Sequence, residues 1–184
     1  TKTETMKTIK AYTDGSAVVK GKLAGAGGFG TYFPDLFGSK KAFSSGFKKT
    51  KTGRMEIRAL YHAVKAMPSR STEPIQLVVF SDSEYVVKSF TEGRLKKWIL
   101  AGWRNTSGAV KNKDLWEGVV NEIEKRDFLT LTLKHIRSHQ VEKESNENKK
   151  KELLKNPDII GNMVADRLAD YKRHVQLLDS DSLT

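Results

Sequence analysis

The 184 residues, 38% hydrophobic and 30% charged, can bury one sizeable core, so a single domain with appended loops is expected over 1–184. The absence of cysteine excludes disulfides and thiolate metal sites and fits an intracellular, reducing compartment; no apolar run is long enough to span a bilayer, and residues 1–10 hold no secretory segment. The formal charge of +11 lies in two stretches, residues 40–54 with six bases (Lys40, Lys41, Lys48, Lys49, Lys51, Arg54) and residues 94–113 with six more (Arg94, Lys96, Lys97, Arg104, Lys111, Lys113), neither holding an acid. Taking those twelve from the 33 bases leaves 21 against 22 acids, so the excess is wholly local. A solvated surface mixes its signs, whereas segregated positive patches attract polyanions and release counterions on meeting phosphates; nucleic acid is the leading partner.

In chain order, Thr8–Thr13 can alternate its faces as a strand that Asp14-Gly15-Ser16 ends. The glycine-rich stretch from Gly25 to Phe33 and the run Lys41–Phe47 complete three antiparallel strands joined by turns; the glycines are no phosphate loop, because no strand leads into them and no helix follows. Met55, Ala59, Leu60, Ala63, Val64 and Met67 recur at helical spacing and Pro68 closes the run, which places Glu56 in the first turn of an amphipathic helix. Ile75–Phe80 has the continuous apolar form of a central strand, and Ser81-Asp82-Ser83 leads from it into a helix from Glu84 to about Thr91. Asp82 therefore stands at the carboxyl end of a central strand, where open α/β sheets place ligands, although Asp82 or Ser83 is also a fitting N-cap.

The second basic stretch carries Trp98 and Trp103, with Gly102 as a helix stop. Asp114–Arg126 follows as a helix with Leu115, Trp116, Val119, Val120 and Ile123 on one face, and Phe128–His135 alternates as a half-buried strand. Residues 141–156, rich in Lys, Glu and Asn, form a flexible loop or a solvated helical excursion before a last helix from Asp158 or Ile159 to about His174, and residues 178–184 have the character of a frayed end. The fold class expected is α/β, a mixed sheet of three antiparallel strands and then strands alternating with helices.

Asp14, Glu56, Asp82 and Asp166 each read alone as turn, cap or helix-surface residues. Together they suit another task. Hydrolysis of a phosphodiester needs an activated water, neutralised nonbridging oxygens and a stabilised leaving oxygen, which two hard divalent ions about 4 Å apart supply. Mg²⁺ takes oxygen ligands and keeps waters, so a few carboxylates suffice, and the lack of Cys and scarcity of His argue against zinc. Of the four histidines, His62, His135 and His174 read as packed or surface side chains. His139 stands in a polar stretch directly after the last strand.

Tyr12-Thr13-Asp14-Gly15-Ser16, Arg54-Met55-Glu56, Ser81-Asp82-Ser83-Glu84-Tyr85-Val86, Ser138-His139 and Asn162 through Ala165-Asp166-Arg167-Leu168-Ala169 resemble, in this order, the motifs of type 1 ribonuclease H, over about Ile9 to Tyr171. The resemblance implies a five-stranded mixed sheet flanked by helices, with a core at about 8–174, a basic protrusion at 94–113, an enlarged loop at 141–161 and a tail at 175–184. It implies an endonuclease cleaving the RNA strand of RNA/DNA hybrids to 3′-hydroxyl and 5′-phosphate ends, with Asp14, Glu56, Asp82 and Asp166 holding two Mg²⁺ ions, for which Mn²⁺ can substitute, and His139 shuttling protons. By the same resemblance Lys96, Lys97, Trp98 and Trp103 belong to a protrusion gripping the DNA strand; Lys49, Lys51 or Thr52, and Asn112 match a DNA-phosphate pocket; and Gly15, Ser16 and Glu84 match the positions that read RNA 2′-hydroxyls.

The sequence departs from the family at Ser138 and Gln140 beside the histidine, at Gly53 where an asparagine is common, near Gly93-Arg94 in the protrusion, at Glu84 where many relatives have glutamine, and in the enlarged loop. Two rivals stand beside the nuclease: a non-cleaving hybrid- or duplex-binding module, which has no need of four carboxylates near phosphates, and the ribonuclease H domain of a larger reverse transcriptase. The protrusion favours an independent, monomeric enzyme, since hybrid affinity must then come from this domain.

Overall fold

A computed structural model describes residues 6–175, 177–178 and 181. β1 (Lys7–Ala17), β2 (Gly27–Leu36) and β3 (Ser39–Phe47) form an antiparallel meander, and β4 (Ile75–Ser81) and β7 (Leu129–His135) join it in parallel, giving the order β7-β4-β1-β2-β3. Between them run α1 (Thr52–Lys65), α2 (Glu84–Thr91), α3 (Arg94–Leu100), a short hairpin of β5 (Arg104–Asn105) and β6 (Gly108–Ala109), and α4 (Lys113–Glu124). α5 (Gln140–Lys143), α6 (Glu147–Leu153) and α7 (Pro157–Val175) complete the chain, with β8 (Leu177–Leu178) at the outer edge of β3.

The central strands are apolar on both sides because both sides are covered. Ile9, Ala11, Leu77, Val79 and Leu133 pack against the Ile57, Leu60, Ala63 and Val64 face of α1 and against Leu115, Trp116 and Val119 of α4. On the other face Tyr12, Val78, Phe80 and Ile136 meet Ala165 of α7. Trp116 is fully buried and its indole N–H donates to the Tyr85 hydroxyl at 3.0 Å, so it is a core residue, as its helical position indicates. Trp98, tilted against it at 6.0 Å between ring centres, and Trp103 are half-buried and pack against the same core.

Several boundaries move. β2 and β3 run past their expected ends because the hairpin continues beyond a register shift between Phe33 and Leu36, where Leu36 pairs with Ser39 and packs against the core. α1 begins at Thr52, so Glu56 lies beyond the first turn and not within it; the polar Thr52-Gly53 pair, with no apolar periodicity, hid the start. Residues 141–156 are the solvated helical excursion, as α5 and α6, with no buried residue in either. The tail is not wholly frayed: Leu177 and Leu178 pair with Gly46 and Phe47, and Asp181 docks on α1; the rest of the 178–184 expectation lies outside the described residues, as does the His174 side chain. No helix among the described residues is long and apolar enough to cross a membrane.

Candidate active site

Three backbone features bring the carboxylates together. Asp14 lies near the end of β1 directly opposite Gly30 of β2, and Asp82 follows the last residue of the adjacent parallel β4. At Gly15 a Cβ would run into the backbone at Met55 and Glu56, so its absence lets α1 close on β1. At Gly30 a Cβ would meet the Ala165 carbonyl at 2.5 Å and the Leu168 Cβ at 2.6 Å, so α7 also rests on bare backbone, beside Asp166. Successive residues of a strand face opposite sides of the sheet, so Gly15 and Gly30 admit helices from either side.

Carboxylate oxygens of Asp14, Glu56 and Asp82 lie within 4.8 Å of one another. Asp166 comes within hydrogen-bonding reach of Asp14. Asp14 and Glu56 are buried and Asp82 and Asp166 half-buried. Asp82 is not the N-cap of α2; Ser83 is, accepting from Val86 N–H at 3.3 Å, and Ser81 Oγ accepts from Ser83 N–H at 3.1 Å, which leaves the Asp82 carboxylate to face the cluster.

Burial first, then the charges of Glu56 and Asp82, pushes the Asp14 carboxyl up to about 12. Burial and the charge of Asp82 hold Glu56 well above the carboxylate range, and burial raises Asp82 too. Such a group of acids is built for a positive charge among them. The donors are hard oxygens, and Glu56 Oε2 is buried without a hydrogen-bond partner, an acceptor awaiting a ligand; the residues fit a divalent ion of the Mg²⁺ class.

His139 borders the site from the start of α5. It adopts the left-handed conformation (φ 56°), and its Nδ1 lies 2.9 Å from Glu142 Oε2. One nitrogen of His139, one oxygen of Glu142 and one of Asp166 also lie within 4.8 Å of one another, so Asp166 links the histidine to the acidic cluster. His62 is the packed residue its position indicates, stacked on Phe29 at 4.6 Å and lowered to about 4 by burial and the nearby Arg58 and Lys65. His135 is exposed, with Nε2 3.3 Å from the Asp82 carbonyl.

The matched binding residues divide by place. Lys49, Lys51, Thr52, Lys96, Lys97 and Glu84 are exposed; Glu84 pairs with Lys88 at 3.4 Å. Asn112, left-handed at φ 61°, sits over the start of α1, where its Nδ2 lies 3.8 Å from a Cβ built on Gly53, close to Thr52 in sequence. Gly15 is buried with its N–H donated to Asp14 Oδ1 at 2.9 Å, while Ser16 is half-buried.

Sequence reasoning gave no role to Glu142 or Asn162. Glu142 stands in the stretch read as a loop, and its i,i+3 spacing from His139 was its one signal. Asn162 is buried with Nδ2 unpartnered, one helical turn before Asp166, in a cleft it shares with His139; that i,i+4 spacing marked it.

An acidic cluster gathered from the ends of two central strands and a helix, in a chain whose excess charge is positive, suits the hydrolysis of phosphodiesters. Comparison with known proteins narrows the class: residues 6–173 match the family model described as RNase H. The chain is 34% identical over 142 residues to ribonuclease HI of Synechocystis sp., covering 77% of this chain and 82% of that one, and 40% identical over 114 residues to ribonuclease H of Lachnoclostridium phytofermentans, covering 59% and 68%. Among solved structures, a foamy viral protease–reverse transcriptase in complex with RNA/DNA hybrid superposes with a TM-score of 0.67 at 20% identity, over 90% of this chain and 20% of that longer one, a likeness of fold. The chain belongs to the ribonuclease H family, enzymes that cleave the RNA strand of RNA/DNA hybrids and are generally dependent on divalent metal.

Proposed function

We propose that this chain, as a monomer, cleaves the RNA strand of RNA/DNA hybrids endonucleolytically at a two-Mg²⁺ site held by Asp14, Glu56, Asp82 and Asp166, leaving 3′-hydroxyl and 5′-phosphate ends. The observation that carries the reading is the convergence of the Asp14, Glu56 and Asp82 oxygens within 4.8 Å, with Glu56 Oε2 unpartnered. Bound there, the divalent ions would activate water, neutralise the nonbridging oxygens and stabilise the departing 3′ oxygen.

The chain's own residues do the rest. Asp14 is oriented by the Gly15 N–H, and the buried Glu56 backbone is clamped to β1 at Gly15, so these two ligands are held before substrate arrives. Glu142 accepting from His139 Nδ1–H leaves Nε2 as the basic nitrogen, free to take and return a proton beside Asp166. Lys49, Lys51 and the protrusion's Lys96 and Lys97 meet backbone phosphates, Asn112 with Thr52 at the start of α1 takes a DNA phosphate, Gly15, Ser16 and Glu84 stand on the side that reads 2′-hydroxyls, and Trp98 and Trp103 brace the protrusion from below.

The test is cleavage of a labelled hybrid beside double-stranded RNA and double-stranded DNA, with Mg²⁺ and with EDTA. The wild type should cut only the RNA of the hybrid and only with metal; Asp14→Asn and Asp82→Asn should bind the hybrid and not cut it. Cleavage by either variant, or in excess EDTA, would overturn the assignment.

A further inference from the structure

Two arginines on one face of α1 need an anion. Arg58 is buried, its guanidinium lying 4.6 Å over the Phe47 ring, and Arg54, four residues earlier, is half-buried. Two cations so placed and out of water are costly without counter-charge. Asp114 of α4 answers Arg54 bidentately, at 3.0 and 2.7 Å from its two terminal nitrogens. Arg58 is answered by Asp181.

The Asp181 carboxylate, 4% exposed, receives nearly every donor the place offers. Its Oδ1 accepts from Arg58 Nε at 2.9 Å and Nη2 at 2.6 Å; its Oδ2 accepts from Arg54 Nε at 2.7 Å and the Thr50 hydroxyl at 2.5 Å. Its carbonyl accepts from Arg54 Nη2 at 2.7 Å. The tail is carried there by β8, pairing with Gly46 and Phe47 at the edge of β3. On its far side Arg54 reaches Asp114 and, at 3.4 Å from Nη1, Asn112 Oδ1. Asn112 is the residue preceding α4; its side chain makes no capping bond to that helix and meets, besides Arg54, the Tyr85 hydroxyl, to which its Nδ2 donates at 3.5 Å.

We propose that Asp181 is a positioning residue for hybrid binding: the tail latches into the Thr50–Arg54–Arg58 cradle, and Arg54, so fixed, holds Asn112 and the start of α4 in place to receive a DNA-strand phosphate. The proposal rests on the assignment of Asn112 to a phosphate. At about 3.6 residues per turn Arg54 and Arg58, two residues either side of Glu56, point away from it around α1, so the latch bears on substrate grip and not on the bond-breaking step. A bare structural staple with the same contacts would alter stability alone.

The experiment is a double-mutant cycle in the full chain with Asp181→Asn, Asn112→Ala and the pair, measuring KM and kcat on a labelled hybrid. Asp181→Asn should raise KM about tenfold with kcat within about twofold, and should add little in the Asn112→Ala background, since coupled residues are non-additive. Asp181→Glu keeps the anion and should recover most of the affinity, which also serves if Asp181→Asn does not fold. A fall in melting temperature with KM unchanged, additive effects in the cycle, or no difference between Asp181→Glu and Asp181→Asn would overturn the latch. If Asn112→Ala alone leaves KM unchanged, the phosphate assignment fails instead, so the two failures are told apart.

Discussion

Replacing Gly30 by alanine tests how the fourth carboxylate is brought to the other three. The new Cβ would stand 2.5 Å from the Ala165 carbonyl, 2.6 Å from the Leu168 Cβ and 3.1 Å from the Ala169 nitrogen, mostly helix backbone with no rotamer to yield. Ordinary contact is about 3.5 Å, so α7 must back away from the sheet by about 1 Å. Overpacking of this kind costs about 1–3 kcal/mol, and for a chain of this length each kcal/mol lowers Tm by roughly 2–4 °C. Asp166 follows Ala165 and moves with it, and a misplacement of about 1 Å near the chemistry is worth about 100-fold in rate. Calorimetry and steady-state cleavage should therefore show a Tm lowered by roughly 2–12 °C and kcat down about 100-fold with KM little changed. Gly53→Ala is the control: its Cβ has 3.8 and 3.9 Å of room, and the helix should gain about 0.5–1 kcal/mol. Unchanged Tm and kcat in Gly30→Ala would refute the close-approach argument.

The raised carboxyls set a pH dependence. Asp14 goes from 3.8 unfolded to about 12 folded, so its protonated form contributes stability below about pH 4 that is lost as pH rises toward the folded value. In EDTA, Tm should fall between about pH 5 and about pH 9, and Mg²⁺ should raise Tm more at the higher pH; equal shifts at both would contradict the cluster as cation site. His139→Ala should lower kcat by about 10²-fold while hybrid affinity measured by fluorescence anisotropy holds, and a loss confined to KM would remove it from proton transfer. Lys96→Ala with Lys97→Ala should reduce the slope of log affinity against log salt by roughly 1–2, and an unchanged slope would place the phosphates elsewhere.

Where one residue's surroundings were contiguous in sequence, they could be read directly. The apolar run of β4 and the serines after it placed Asp82 at a strand end, and the stripe of α1 placed Glu56 beside the core. The mixed sheet, three antiparallel strands and then strands alternating with helices, followed from strand form and order, as did the burial of Trp116. What the sequence hid depends on packing between distant segments. Gly30 lies in a glycine-rich run where nothing local marks it as the seat of α7, and Asp181 sits in a polar tail whose partners are more than 100 residues away. Glu142 escaped because a four-residue helix with no buried side chain has no apolar period to detect.

β3 ends the main meander, and among the described residues β8 covers it at Gly46 and Phe47. An edge strand with free backbone groups invites a strand from another molecule, and charged side chains along it are the usual defence. Lys40 and Lys41 stand exposed toward the other end of β3. Lysines so placed on an edge disfavour the pairing of neighbouring copies, so trimming positive charge there to tune substrate affinity would be expected to lower solubility.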